Sequence, residues 1–124
     1  MSVRRVLVID DEEDIREVAR LSLELVGQYQ VLTASSGREG LDSARSHRPD
    51  AILLDVMMPD MDGPAALAEL LADPSTRDIP VLFLTAKTQH AERMRLAQLG
   101  AAGILTKPFD PLKLSADVAS ALHW

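Results

Sequence analysis

The chain has 124 residues, 47% hydrophobic and 26% charged, with a formal net charge of −6 and no cysteine. That is one domain's length, able to bury roughly two thirds of the surface exposed by the unfolded chain, and the composition is globular. Disulfides, thiolate catalysis and Cys-ligated zinc are excluded, the acidic balance opposes direct nucleic-acid binding, and no apolar run is long enough to span a membrane.

Arg4 and Arg5 precede only the apolar run Val6 to Ile9 before acids begin, so neither a signal-peptide core nor a setting outside the cytoplasm is expected. That first run reads as a buried strand ending on Asp10 and Asp11. Ile15, Val18, Ala19, Ser22, Leu25 and Val26 then follow the 3.6 period, predicting a helix with Gly27 placed to cap its C-terminus. Gln30 to Ala34 alternates more and reads as an edge strand. Ser36 with Glu39 forms a capping box for a second helix, which His47 and Arg48 close favourably for the dipole before Pro49 stops it.

Ala51 to Leu54 is the second buried run and ends on Asp55. Gly63-Pro64 opens a third helix with Leu67, Leu70 and Leu71 as its stripe. Val81 to Leu84 ends on Thr85. A fourth helix spans about Gln89 to Leu99 and ends at Gly100; its apolar face is thin, with Met94 and Ala97 mixed among Arg93 and Arg95. Gly103 to Thr106 precedes Lys107-Pro108. Asp110 as N-cap and Pro111 at the first position open a fifth helix, with Leu112, Ala116, Ala119 and Leu122 on one side. Five strands alternating with five helices predict an α/β fold with a parallel sheet covered on both faces and right-handed crossovers.

In such a sheet all strands end along one edge, and ligands bind in the crevice outside those carboxyl ends. Glu12, Glu13 and Asp14 are explained by the helix dipole alone. Asp10 and Asp11 are explained equally by turn chemistry and by metal binding. Singly, Asp55 suits an Asx turn, Thr85 a local hydrogen bond and Lys107 a solvated surface. Together they put three carboxylates, an ammonium and a hydroxyl at the ends of four strands, a site for a divalent cation and a phosphoryl group with Asp55 as acceptor. Mg²⁺ and one lysine balance three carboxylates, and Asp55 is ionised at neutral pH. His47, His90 and His123 lack ligand spacing and read as surface residues.

Val-Ile-Asp-Asp-Glu at 8 to 12, Leu-Leu-Asp-Val-Met-Met-Pro-Asp-Met-Asp-Gly at 53 to 63, Leu-Thr-Ala at 84 to 86 and Thr-Lys-Pro-Phe at 106 to 109 together resemble a receiver domain of the two-component response regulators, over about residues 5 to 122. The resemblance implies a doubly wound, flavodoxin-like three-layer sandwich with strand order 2-1-3-4-5. It implies Mg²⁺ (or Mn²⁺) bound by Asp11, Asp55 and the Met57 carbonyl, with Asp10 holding metal-bound water. Asp55 would become an aspartyl phosphate, Lys107 and Thr85 would contact the phosphoryl oxygens, and the N–H groups of Met57 and Ala86 would complete the cradle. The Lys107-Pro108 bond would be cis. Met57 and Lys87 would tune water access. Thr85 and the residue at 104 would form the switch, reported on the surface of helix 4, strand 5 and helix 5. That residue is Ile104 where the family commonly has an aromatic, so looser coupling is expected.

The expected partners are a sensor histidine kinase or histidine phosphotransfer protein and a downstream protein target or fused effector, with neither nucleic acid nor membrane contacted directly. The chain is expected to be a single receiver domain without an effector, assisting its own phosphorylation and dephosphorylation rather than acting as an enzyme. The alternative is a receiver-fold interaction module with little phosphorylation-dependent switching. An enzyme of the haloacid-dehalogenase type would need a second Asp where Met57 stands, and a nucleotide binder would need a glycine-rich first loop.

Overall fold

The computed structural model describes residues 3–86 and 89–124. Five parallel strands, β1 (Arg5–Ile9), β2 (Gln30–Ala34), β3 (Ala51–Asp55), β4 (Val81–Thr85) and β5 (Gly103–Thr106), form one sheet in the order β2-β1-β3-β4-β5. Side chains alternate across a strand, and both faces are apolar here. Leu7, Ile9, Ile52, Leu54, Val81 and Phe83 enter one core with Leu41, Leu67, Leu70 and Leu96. Val6, Val8, Leu53, Leu82 and Leu84 enter the other with Ala19, Leu23, Leu114 and Val118. Continuous apolar runs are therefore required at β1, β3 and β4, which have a neighbour on each side and a helical layer on each face. Each fully buried Leu, Ile or Phe contributes about 1.5 to 3 kcal/mol. As expected, β2 lies at an edge and is partly exposed.

The helices α1 (Glu13–Leu25), α2 (Gly37–His47), α3 (Gly63–Ala72), α4 (His90–Ala97) and α5 (Leu114–Leu122) follow the expected order. None among the described residues is long and apolar enough to cross a membrane. Ser36 Oγ accepts the Glu39 N–H at 3.1 Å, but the Glu39 carboxylate reaches back to Ser35, at 3.2 Å from its N–H, instead of to Ser36. Asp62 caps α3 by accepting from the Ala65 N–H at 2.8 Å.

Several local expectations are corrected. Gln28, at φ 60°, is left-handed after α1. Gly27 serves packing instead, since a Cβ there would lie 2.8 Å from Ser115 Cβ. The buried face of α1 is Ala19, Ser22 and Leu23, leaving Val18, Leu25 and Val26 exposed. The one buried residue of α4 is Leu96, and Leu71 of α3 is 39% exposed. α5 begins at Leu114, because the Asp110 carboxylate accepts the Leu112 N–H and its carbonyl accepts from Lys113 and Leu114, winding a separate turn first. The residues α5 buries are thus Leu114, Ser115 and Val118, while Leu112 and Ala116 face solvent.

Candidate functional site

Sheet register gathers the polar strand ends. Ile9 pairs with Leu54 and Asp55 with Leu84, so Asp10, Asp55 and Thr85 reach the same edge. Thr85 pairs with Thr106, and the Lys107 N–H donates to the Thr85 carbonyl at 2.9 Å, which sets Lys107 beside them. The Lys107-Pro108 peptide bond is cis, as expected.

Asp10 is fully buried although charged. Its N–H donates to the Ala34 carbonyl at 3.1 Å, its Oδ1 accepts the Glu12 N–H at 2.9 Å, and its carbonyl accepts from Arg16 Nη1 at 2.8 Å. Its Oδ2 faces the Lys107 ammonium, with Nζ 2.6 Å away. Lys107 Nζ also lies 3.2 Å from Asp55 Oδ1, which the Met57 N–H approaches at 3.3 Å. Thr85 is buried at the end of β4, and Asp11 is exposed at the rim.

Three clustered carboxylates, two of them in contact with one ammonium, leave an excess of negative charge. Like charges about 4 Å apart repel by on the order of 1 kcal/mol in water and several times that when partly buried. Burial, then the Asp10 charge, push Asp55 up to about 6 against the opposing pull of Lys107. Asp55 is therefore ionised at neutral pH, but by a narrower margin than an exposed carboxylate. Burial alone would lower the Lys107 pKa; the Asp10 and Asp55 carboxylates outweigh it and hold the ammonium above its usual value.

A cleft of about 130 Å³ opens over these groups, lined by Glu12, Asp55, Met57, Thr85, Ala86 and Lys107. Wider grooves flank β5, but neither gathers converging carboxylates and an ammonium. Asp10, Asp11 and Asp55 each bring an oxygen within 4.8 Å of the others. Hard oxygen donors at this spacing, whose negative charge one ammonium does not balance, fit a divalent cation of the magnesium, calcium or manganese type.

A family model described as the response regulator receiver domain matches residues 6–119. The chain belongs to that family. It is 40% identical over 120 residues to the alkaline phosphatase synthesis transcriptional regulatory protein PhoP of Bacillus subtilis, covering 97% of this chain and 49% of PhoP. It is 44% identical over 117 residues to response regulator PleD of Caulobacter vibrioides, covering 94% of this chain and 25% of PleD. The chemotaxis response regulator CheY4 of Vibrio cholerae superposes with a TM-score of 0.89 at 33% identity, covering 97% of this chain and 99% of that one. The chain thus spans about half the length of PhoP and a quarter of PleD.

Within this receiver domain, Ile104 is half-buried on β5 and packs against the core that contains Phe83, its register partner. A groove of about 310 Å³ lies over it, lined by His90, Arg93, Met94, Ala97 and Gly103. The expected role of Lys87 falls outside the described residues. His47, His90 and His123 are all exposed, as expected.

Three residues beside the site were not legible locally. Glu12 lines the cleft, though as an acid before a helix it is accounted for by the dipole. Arg16 holds the Asp10 carbonyl from the first turn of α1, and Arg93 Nη1 donates to Thr106 Oγ1 at 3.1 Å, tying α4 to the residue before Lys107. Sequence spacing carries no signal for the second contact, since its partners sit on separate elements.

Proposed function

We propose that this receiver accepts a phosphoryl group on Asp55 from a histidine kinase or histidine phosphotransfer protein, with Mg²⁺ bound by Asp11, Asp55 and the Met57 carbonyl and with Asp10 holding metal-bound water. The supporting observation is a cleft lined by Asp55, Thr85 and Lys107, with the Lys107 ammonium within 3.2 Å of both Asp55 and the buried Asp10. When bound, the cation would neutralise negative charge on the incoming phosphoryl oxygens and fix their orientation.

An Asp55 carboxylate oxygen attacks the phosphorus, the phosphorus–nitrogen bond of the donor phosphohistidine breaks, and the departing imidazole takes up a proton. Asp55 needs no base, being ionised at neutral pH. Lys107 shifts from Asp10 toward the phosphoryl oxygens, Thr85 donates its hydroxyl, and the Met57 and Ala86 N–H groups complete the anion cradle. Two or three charge-assisted hydrogen bonds of about 1.5 to 3 kcal/mol each, made only after transfer, match the roughly 5.5 kcal/mol that inverts a 1:99 population.

The readout surface is α4, β5 and α5, adjoining Thr85 through the Thr85–Thr106 pairing. The downstream target is a protein, and the setting is cytoplasmic. The chain acts as a substrate and switch that promotes its own phosphoryl chemistry. Incubation with an acyl phosphate should convert wild type to a species retarded on a phosphate-affinity gel, only with Mg²⁺ present. No conversion of wild type would instead favour the interaction-module reading, for which Ile104 at the switch position is the supporting feature.

A further inference from the structure

The loop joining β3 to α3 carries Met57, which lines the cleft and whose N–H approaches Asp55 Oδ1 at 3.3 Å, and it is held at its midpoint from outside. Asp60 lies on the surface, and its carboxylate is approached by the Asp60 and Met61 N–H groups of its own turn, as is usual for an aspartate in a turn, but it also reaches another element. Here Asp60 Oδ1 accepts the Gly37 N–H and Oδ2 the Arg38 N–H, each at 3.1 Å, across 23 and 22 residues of chain. These are the first two N–H groups of α2, which no helical partner can satisfy. Ser36 takes the third, so the start of α2 is capped partly by its own chain and partly by the acceptor loop.

Packing fixes the same join. A Cβ on Gly37 would stand 2.9 Å from Met61 Cβ and 3.3 Å from the Met61 carbonyl oxygen, so loop and helix touch with no room to slide. At its far end the loop is anchored by the Gly63 N–H donating to the Val56 carbonyl at 2.8 Å, and by Asp62 on α3. Between these anchors Met57 is 66% exposed, with only its N–H drawn toward Asp55. Met58 is buried in the core at 8% exposure and holds the loop from its inner side, so Asp60 is the polar tie from the loop to α2.

We infer that Asp60 is a positioning residue for the acceptor site: by gripping the first turn of α2 it fixes the loop that brings the Met57 N–H to Asp55 and that, on the proposed function, supplies the Met57 carbonyl to the cation. This rests on the phosphoacceptor reading for its catalytic consequence, but the positioning itself does not. Ser36→Ala is the control, because it strips a cap from the same helix and leaves the loop tied.

Three measurements on the full chain decide the matter: hydrogen–deuterium exchange of the peptide spanning 55–63, the Kd for Mn²⁺, and the rate of phosphorylation by an acyl phosphate. Asp60→Ala should speed exchange in that peptide, weaken Mn²⁺ binding at least about 3-fold and slow phosphorylation by a similar factor. Ser36→Ala should do none of these at a comparable loss of Tm. Asp60→Asn, keeping one acceptor oxygen, should recover part of each effect and serves in place of the alanine variant if that fails to fold. Unchanged exchange and Mn²⁺ affinity in the Asp60 variants, or equal changes in Ser36→Ala, would overturn the inference. Absence of phosphorylation in wild type would remove the phosphoacceptor reading instead, with exchange and Mn²⁺ affinity still deciding the role of Asp60.

Discussion

Lys107 Nζ stands closer to Asp10 than to Asp55, 2.6 Å against 3.2 Å. The ammonium is shared between the carboxylate proposed to hold metal-bound water and the one proposed to accept phosphate, and it is nearly buried with them. Removing one member of a buried ion pair leaves the other charge uncompensated, at about 3 kcal/mol or more. Lys107→Met is accordingly expected to lose about 3 kcal/mol in urea unfolding, with saturating Mg²⁺ restoring much of it. A loss below about 1 kcal/mol, insensitive to Mg²⁺, would show that the ammonium is not balancing these acids.

Asp55 binds its proton more tightly in the folded chain than in the unfolded one, since burial and Asp10 push its pKa to about 6. Its contribution to stability is therefore fully present below about pH 4 and is lost as pH rises through 6. Asp55→Asn should stabilise the protein by about 1 to 3 kcal/mol at pH 7.5 in the absence of divalent cations, and the gain should vanish near pH 4. Urea unfolding across that range checks it; destabilisation at pH 7.5 would mean that Lys107 outweighs burial and Asp10.

Gly63 sits directly under the acceptor. A Cβ there would fall 2.6 Å from the Asp55 carbonyl oxygen and 2.9 Å from Val56 Cα, both backbone atoms that cannot rotate away. Gly63→Ala should cost about 1 to 3 kcal/mol and slow phosphorylation together. A thermal melt paired with an acyl-phosphate time course tests this, and wild-type behaviour in both would contradict the close approach.

Ile104 faces a groove of about 310 Å³ between α4 and β5. A larger ring at this position can extend into that space, so Ile104→Tyr should change stability by less than about 1 kcal/mol. A loss above about 2 kcal/mol would mean the groove is closed to it.

Most of the fold was legible because β1, β3 and β4 are buried on both faces, and that burial writes uninterrupted apolar runs into Val6–Ile9, Ala51–Leu54 and Val81–Leu84. The same runs located Asp10, Asp55 and Thr85, for each is the first polar residue where a strand ends. Helix faces were read less well. Leu23, Leu96 and Leu114 are buried because of what lies opposite them, whereas Leu25 and Leu112, equally apolar, meet solvent at 76% exposure each. The start of α5 is not legible at Asp110, because Asp110 organises a turn before the helix begins. Asp60 and Arg93 bond to residues on other elements, and nothing in the local pattern of either predicts its partner.

On the proposed function, strand ends remote in sequence build one phosphoacceptor site around Asp55. Borohydride reduction of the chain after treatment with Mg²⁺ and an acyl phosphate, followed by peptide sequencing, tests it most directly, since an aspartyl phosphate is reduced to homoserine at the residue that carried it. Homoserine at position 55 and at no other aspartate is the expected result. Homoserine at Asp10, Asp11 or Asp60, or at none, would contradict it.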